Sequence, residues 1–105
     1  MASLTIDFFH DVVCCWCFNI SLRMRDLADE FDLDIRHRTF VLQASRAEMA
    51  SRWGTPEDAR NTILGHWAVC RLASDRPELV DIDAMRAARF DYPHGLIAAL
   101  GCTAA

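Results

Sequence analysis

The chain has 105 residues, of which 52% are hydrophobic and 25% charged, and its formal net charge is −4. This length gives a single small core, and the acidic balance excludes an extended basic surface for nucleic acid or an anionic membrane. No segment approaches the roughly 20 apolar residues that cross a bilayer, and the N-terminus lacks a signal-peptide pattern, so we expect a cytoplasmic protein.

The first part of the chain, residues 1–43, predicts a strand, a helix and a second strand. Residues 4–9, LTIDFF, are rich in β-branched and aromatic side chains and predict a short buried strand. A helix is expected over about residues 15–31, with one apolar stripe facing the core: Ile20, Met24, Leu27 and Phe31. Residues 33–42, LDIRHRTFVL, predict a second strand that pairs in parallel with the first, as in a βαβ unit.

The second part, residues 44–105, predicts helices only. Thr55 is a helix N-cap with Pro56 at the first helical position, and one apolar face follows: Ala59, Ile63, Trp67 and Cys70. Pro77 interrupts the pattern, a shorter helix is expected over about 81–90, and a last one from Pro93. Because two strands and one helix close no sheet core by themselves, we expect this chain to be the first part of a longer fold.

The five cysteines are an odd number, which argues against a framework of structural disulfides. Three of them fall within four residues, as Cys14-Cys15-Trp16-Cys17, between the predicted strand and helix. Residues three apart lie on one side of a helix, so the Cys14 and Cys17 sulfurs can meet, and the helix N-terminus favours a Cys14 thiolate. This pattern predicts a redox-active dithiol, with metal ligation aided by His10, or inert packing, as the alternatives.

Four neighbours of this dithiol are candidate auxiliary residues. Asp11 is expected either to relay a proton to the dithiol or to bond the backbone of a turn. His10 is expected to stabilise the thiolate or to be a solvated loop residue. Trp16 predicts a partly exposed apolar rim for a substrate, and Cys15 is either a small packed residue or a third working thiol. Cys70 and Cys102, outside the motif, are expected in the core.

The stretch IDFFHDVVCCWCF resembles the N-terminal motif of DsbA-like thiol–disulfide oxidoreductases, in particular their cytosolic FrnE-type branch. That branch reads D-x-x-C-P-W-C-[YF], and five residues match it in place: Asp11, Cys14, Trp16, Cys17 and Phe18. The resemblance implies an α/β fold, with residues 1–43 as an incomplete thioredoxin-like βαβ unit. It implies a DsbA-type helical insertion over residues 44–105, which the chain leaves truncated. It also implies that Cys14 attacks and Cys17 resolves a protein or small-molecule disulfide, with no cofactor and no metal.

Two departures from that family bear on activity. Cys15 stands where the family has proline, and the residues inside C-x-x-C tune the redox potential. The family's cis-proline loop would come after residue 105, since Pro56, Pro77 and Pro93 lie in predicted helical contexts. Enzyme activity is therefore expected only if the rest of the fold is supplied. The alternatives are a non-enzymatic remnant that forms a homodimer, and a glutathione-dependent 2-hydroxychromene-2-carboxylate isomerase, although such isomerases carry serine in place of the first cysteine.

Overall fold

The computed structural model describes residues 3–104, which form a mixed α/β structure. Two strands, β1 (Leu4–His10) and β2 (Leu33–Thr39), flank the first helix, α1 (Cys15–Glu30). Helices then follow in chain order: α2 (Arg46–Trp53), α3 (Pro56–Ala73), α4 (Ile82–Ala87) and α5 (Leu96–Ala104). A single 3-10 turn, Pro77–Leu79, lies between α3 and α4. Within this described range the structure therefore has a two-stranded sheet and five α-helices.

The two strands pair in parallel, in register from Leu4 opposite Leu33 to His10 opposite Thr39. This confirms the predicted strand–helix–strand order, although β2 ends at Thr39 rather than at residue 42. The prediction that β1 is buried is wrong, since Leu4 and Phe9 are 59% and 64% exposed. The reason is that the sheet formed by residues 3–104 has only these two strands, so both of its edges and much of its surface remain open.

Helix α1 presents a different face to the core from the one that its apolar spacing predicts. The buried residues are Cys15, Asn19 and Leu22, whereas the predicted stripe contains three exposed side chains: Ile20, Leu27 and Phe31. The side-chain amide of Asn19 donates to the carbonyl oxygen of Cys70 on α3 at 3.0 Å. Because a hydrogen-bonded polar residue occupies the buried face, a count of apolar residues alone selects the wrong side of this helix.

The helices of the second part begin at well-formed caps. The Thr55 hydroxyl accepts the Asp58 N–H at 3.1 Å and the Asp58 carboxylate accepts the Thr55 N–H at 3.1 Å, which confirms the predicted start of α3. Helix α2 was not predicted. Its N-cap, Ser45, accepts the Glu48 N–H at 3.1 Å, and Glu48 reaches back to the backbone just before the cap. The Ser-x-x-Glu signal for this helix is therefore present in the sequence.

The last two helices are shorter than predicted. Helix α4 starts after the N-cap Asp81 and ends at Ala87, before the expected Phe90. Helix α5 begins at Leu96 rather than Pro93, so Pro93 lies in a loop and not in a helical context. Ala99 is the buried residue of α5, and Cys102 is exposed, so the expectation that Cys102 belongs to the core is wrong.

The core lies between the first turn of α1 and the helices of the second part, not beneath the sheet. Its buried members are Cys15, Met49, Ala59, Ile63, Trp67, Cys70 and Val80. Burial of Cys70 and Trp67 confirms that they belong to the core, as expected. Cys15 is buried with them, although it lies in the first part of the chain, before the predicted boundary at residue 43. None of the helices within residues 3–104 is long and apolar enough to cross a membrane.

Candidate redox site

Cys14 occupies the N-cap of α1, at the point where the chain turns from β1 into the helix. Its backbone N–H donates to the Asp11 carbonyl at 3.1 Å, which closes the turn. Its sulfur accepts the backbone N–H of Cys17 at 3.4 Å, as an N-cap side chain does, and it is half-buried. The unpaired N–H groups and the dipole at this end of α1 therefore favour negative charge on the Cys14 sulfur.

Cys17 lies beside Cys14 and differs from it in environment. Burial raises the pKa of the Cys17 thiol, and its side-chain hydrogen bond with Cys14 adds to the increase, while a hydrogen bond from the Asp11 backbone opposes it. Both sulfurs are half-buried and belong to one interacting pair, in which the protonated form of Cys17 is favoured. This asymmetry suits an attacking thiol at position 14 and a resolving thiol at position 17.

Asp11 is almost completely buried, at 3% exposure, immediately before this pair. Its carboxylate accepts the backbone N–H of Val13 at 3.2 Å and that of Leu42 at 2.9 Å. Gly95, which precedes α5, approaches it so closely that an added Cβ would lie 2.5 Å from both carboxylate oxygens. These contacts are those of the expected turn residue, and they fix the loop before Cys14 to two distant segments.

His10 is the last residue of β1 and not the loop residue that the sequence predicts. Its Nε2 lies 3.1 Å from Nδ1 of His37, and its ring packs 4.8 Å from that of Phe8 between centroids. Burial and the neighbouring His37 lower the pKa of His10, against the opposing influence of Asp11. The contacts of the imidazole described here therefore tie the two strands together, and they do not include the cysteines.

Cys15 is buried and belongs to the core cluster. Its thiol interacts with that of Cys70, and the Cys70 Sγ also donates to the Cys15 carbonyl oxygen at 3.0 Å. Burial, reinforced by Cys70, raises the pKa of Cys15 to about 12. Within residues 3–104 no group of three or more His, Cys, Asp or Glu side chains is arranged to hold a metal ion.

An open groove of about 220 Å³ lies beside the cysteines, between the turn and the second part of the chain. Its walls are almost entirely apolar, and Trp16, which is 47% exposed, stands at its rim. The main contributors are Cys14, Trp16, Met49, Trp53, Ile63 and Tyr92. An apolar groove lined by a half-buried thiol can hold a hydrophobic group next to a reacting disulfide.

Tyr92 connects the groove to the turn. Its hydroxyl donates to the Val13 carbonyl and accepts the Trp67 Nε1–H at 2.9 Å. Burial raises the pKa of Tyr92 to about 12. Through these two hydrogen bonds Tyr92 links Val13, the residue before Cys14, to Trp67 on α3.

Sequence reasoning identified the motif but missed the residues that hold it in place. Tyr92 and Gly95 contact the turn before Cys14 although they lie about eighty positions later in the sequence, and no local pattern identifies them. Burial of Asn19 was not predicted, because a single polar residue on a helix is a weak signal of burial. His66, to which no role was assigned from the sequence, is exposed and lines the groove with Cys14.

Neither the family models, nor the curated proteins, nor the solved structures contain a match to the chain. The residues and contacts of the site are therefore the basis for assigning a function.

Proposed function

We propose that the protein is a thiol–disulfide oxidoreductase in which Cys14 attacks and Cys17 resolves. The observation that carries the proposal is the position of Cys14 at the N-cap of α1, where its sulfur accepts the Cys17 N–H at 3.4 Å beside the Cys17 thiol. An N-cap sulfur is stabilised as the thiolate, which is the nucleophile of disulfide exchange.

The exchange proceeds in two displacements. The Cys14 thiolate attacks one sulfur of a substrate disulfide, a bond forms to that sulfur, and the other half leaves as a thiol after taking up a proton. Cys17 then loses its proton and attacks the Cys14 sulfur, which releases the second substrate thiol. The protein ends with a Cys14–Cys17 disulfide and the substrate with two thiols, and the reverse sequence oxidises a dithiol.

The groove supports an apolar substrate group beside the reacting sulfur. Trp16 and Tyr92 border the same open, apolar space as Cys14. A hydrophobic side chain of a polypeptide, or the apolar part of a small disulfide, would exclude water there and stay next to the thiolate. The proposed substrate is therefore a protein or small-molecule disulfide with an apolar neighbour.

The proposal also assigns a fold to the two parts of the chain. The unit β1–α1–β2 is taken as the start of a thioredoxin-like fold and residues 44–105 as a DsbA-type, FrnE-like helical insertion. The parallel strand pair and the position of the dithiol at a strand-to-helix junction support it. A cytoplasmic location is proposed because an odd number of cysteines, all free, suits a compartment that keeps thiols reduced.

The test uses the Cys17→Ser variant and a peptide disulfide with an apolar residue next to its cystine. Without a resolving thiol, attack by Cys14 should stop at a stable mixed disulfide, detected as a peptide adduct on residue 14 by mass spectrometry. Cys102→Ser is the matched control, since it removes an exposed cysteine elsewhere and should leave the wild-type exchange rate unchanged. The proposal is refuted if Cys14→Ser exchanges as fast as the wild type, or if the adduct forms on Cys102 alone.

A second candidate is a non-enzymatic protein that dimerises with a copy of itself. The observation in its favour is an exposed apolar stripe formed by Ile20 and Leu27 on α1 and by Phe31 at its C-cap. Light scattering across a concentration series tests it, because the double variant Ile20→Glu/Leu27→Glu should then be monomeric while the wild type is dimeric. A monomeric wild-type protein that exchanges disulfides would remove this candidate.

A further inference from the structure

Outside the C-x-x-C pair, the described structure contains a second pair of neighbouring thiols, Cys15 and Cys70. Both are buried, at 7% and 0% exposure, and both belong to the core cluster. The Cys70 Sγ donates to the Cys15 carbonyl oxygen at 3.0 Å, so the two cysteines are in direct contact. Because the Cys70 sulfur lies within hydrogen-bond distance of the Cys15 backbone, these two cysteines on separate helices are placed for a covalent link.

The two thiols differ in access. Cys70 is enclosed, whereas Cys15 contributes to the wall of the apolar groove beside Cys14. A small disulfide that enters this groove therefore reaches Cys15 first, and Cys70 lies directly behind it. In a stepwise oxidation, Cys15 is therefore placed to react first with the small disulfide, and Cys70 to react second with Cys15.

We propose that Cys15 and Cys70 form a second redox couple, whose disulfide joins the first turn of α1 to α3. The oxidant is a low-molecular-weight disulfide such as oxidised glutathione. Cys15 loses its proton and attacks one sulfur of this disulfide, so a mixed disulfide forms and one thiol leaves with the proton. Cys70 then attacks the Cys15 sulfur, the bond to the small molecule breaks, and the second thiol leaves. Two protein thiols are thereby oxidised to one disulfide, and one small disulfide is reduced to two thiols.

The raised pKa of both thiols sets how this couple behaves. Few of the molecules carry a thiolate at neutral pH, so the bond forms slowly, over hours rather than seconds. Once formed, it is difficult to reduce, because displaced thiols of high pKa are poor leaving groups. The couple therefore responds to sustained oxidation, while the more accessible Cys14 and Cys17 respond first.

The experiment isolates this pair in the Cys14→Ser/Cys17→Ser variant. Folded protein is kept overnight with oxidised glutathione, the remaining thiols are blocked with N-ethylmaleimide in denaturant, and the chain is digested with trypsin without reduction. Because trypsin cleaves after arginine, each remaining cysteine lies on its own peptide: residues 1–23 carry Cys15, residues 61–71 carry Cys70, and residues 90–105 carry Cys102. The expected product is peptide 1–23 linked to peptide 61–71, two hydrogens lighter than their sum.

The matched control is the same variant with Cys70→Ala, in which the linked product must disappear while glutathione on Cys102 remains. If Cys15 and Cys70 are both recovered with N-ethylmaleimide, or Cys15 keeps glutathione, the couple does not exist. Should the double serine variant fail to fold by circular dichroism, Cys14→Ser alone is used. Chymotrypsin after Trp16 then separates Cys15 from Cys17. Because the test lacks the Cys14–Cys17 pair, its outcome is independent of the proposed function.

Discussion

Replacing Gly95 by alanine tests the contact that holds the turn before Cys14. The new Cβ would lie 2.5 Å from both oxygens of the buried Asp11 carboxylate, well inside the van der Waals contact distance of carbon and oxygen. Either the backbone before α5 moves, or the carboxylate turns away from the N–H groups of Val13 and Leu42. Overpacking costs about 1–3 kcal/mol, and loss of one hydrogen bond to a charged acceptor costs about 1.5–3 kcal/mol.

We therefore expect Gly95→Ala to lower the free energy of unfolding by about 2–4 kcal/mol, and the melting temperature by about 10–25 °C. Urea denaturation followed by tryptophan fluorescence measures the first quantity, and circular dichroism during heating measures the second. Gly65→Ala is the matched control, because an added Cβ there meets no atom within 4 Å and the residue lies in the interior of α3. It should stabilise the protein by about 0.5–1 kcal/mol through helix propensity.

A double-mutant cycle with Asp11→Ala tests whether the clash with the Asp11 carboxylate causes the loss of stability in Gly95→Ala. If the clash is with the carboxylate, Gly95→Ala should cost less than about 1 kcal/mol once that side chain is removed. An equal cost in both backgrounds, or a Gly95→Ala variant within about 0.5 kcal/mol of the wild type, would refute the account of this contact.

Three further predictions concern groups around the same core. Tyr92, the single tyrosine of the chain, should titrate near pH 12 by phenolate absorbance. Because its pKa is raised from 10.0 in the folded state, it contributes stability below pH 10 that is lost as the pH rises towards 12; a midpoint near 10 in native protein would contradict this. Asn19→Ala should cost about 1–2 kcal/mol in urea, because the buried carbonyl of Cys70 loses its donor; an unchanged midpoint would exclude that role. Arg23→Ala, which breaks the exposed pair with Asp75, should change stability by less than about 0.5 kcal/mol, with and without added salt.

The sequence predicts those features that local chemistry decides. The start of α3 follows from Thr55, Pro56 and the acidic first turn, and the meeting of Cys14 with Cys17 follows from their spacing. The start of α2 is equally local, since its N-cap Ser45 and Glu48 lie three residues apart, although this helix was not predicted. These are features for which a few neighbouring residues contain all the information.

The remaining features depend on where distant segments lie. The buried face of α1 is set by α3, because Asn19 bonds Cys70 and brings a polar residue inwards. The prediction that β1 is buried assumed a covering layer, and exposure of Leu4 and Phe9 shows its absence among residues 3–104. Gly95 beside Asp11 is likewise a meeting of remote segments, and neither residue type signals it. Periodicity gives the existence of a helix but not the identity of its neighbour.

The hydrogen bond from Tyr92 to the Val13 carbonyl has a consequence for the order of folding. It spans 79 positions, and the link from Asn19 to Cys70 spans 51, so the surroundings of Cys14 are completed by chain that is synthesised much later. At a synthesis rate of about 5–20 residues per second, the C-x-x-C turn emerges several seconds before its tether does. During that interval the cysteines belong to a nascent chain without the groove, and only chain closure over long loops gives them their final setting.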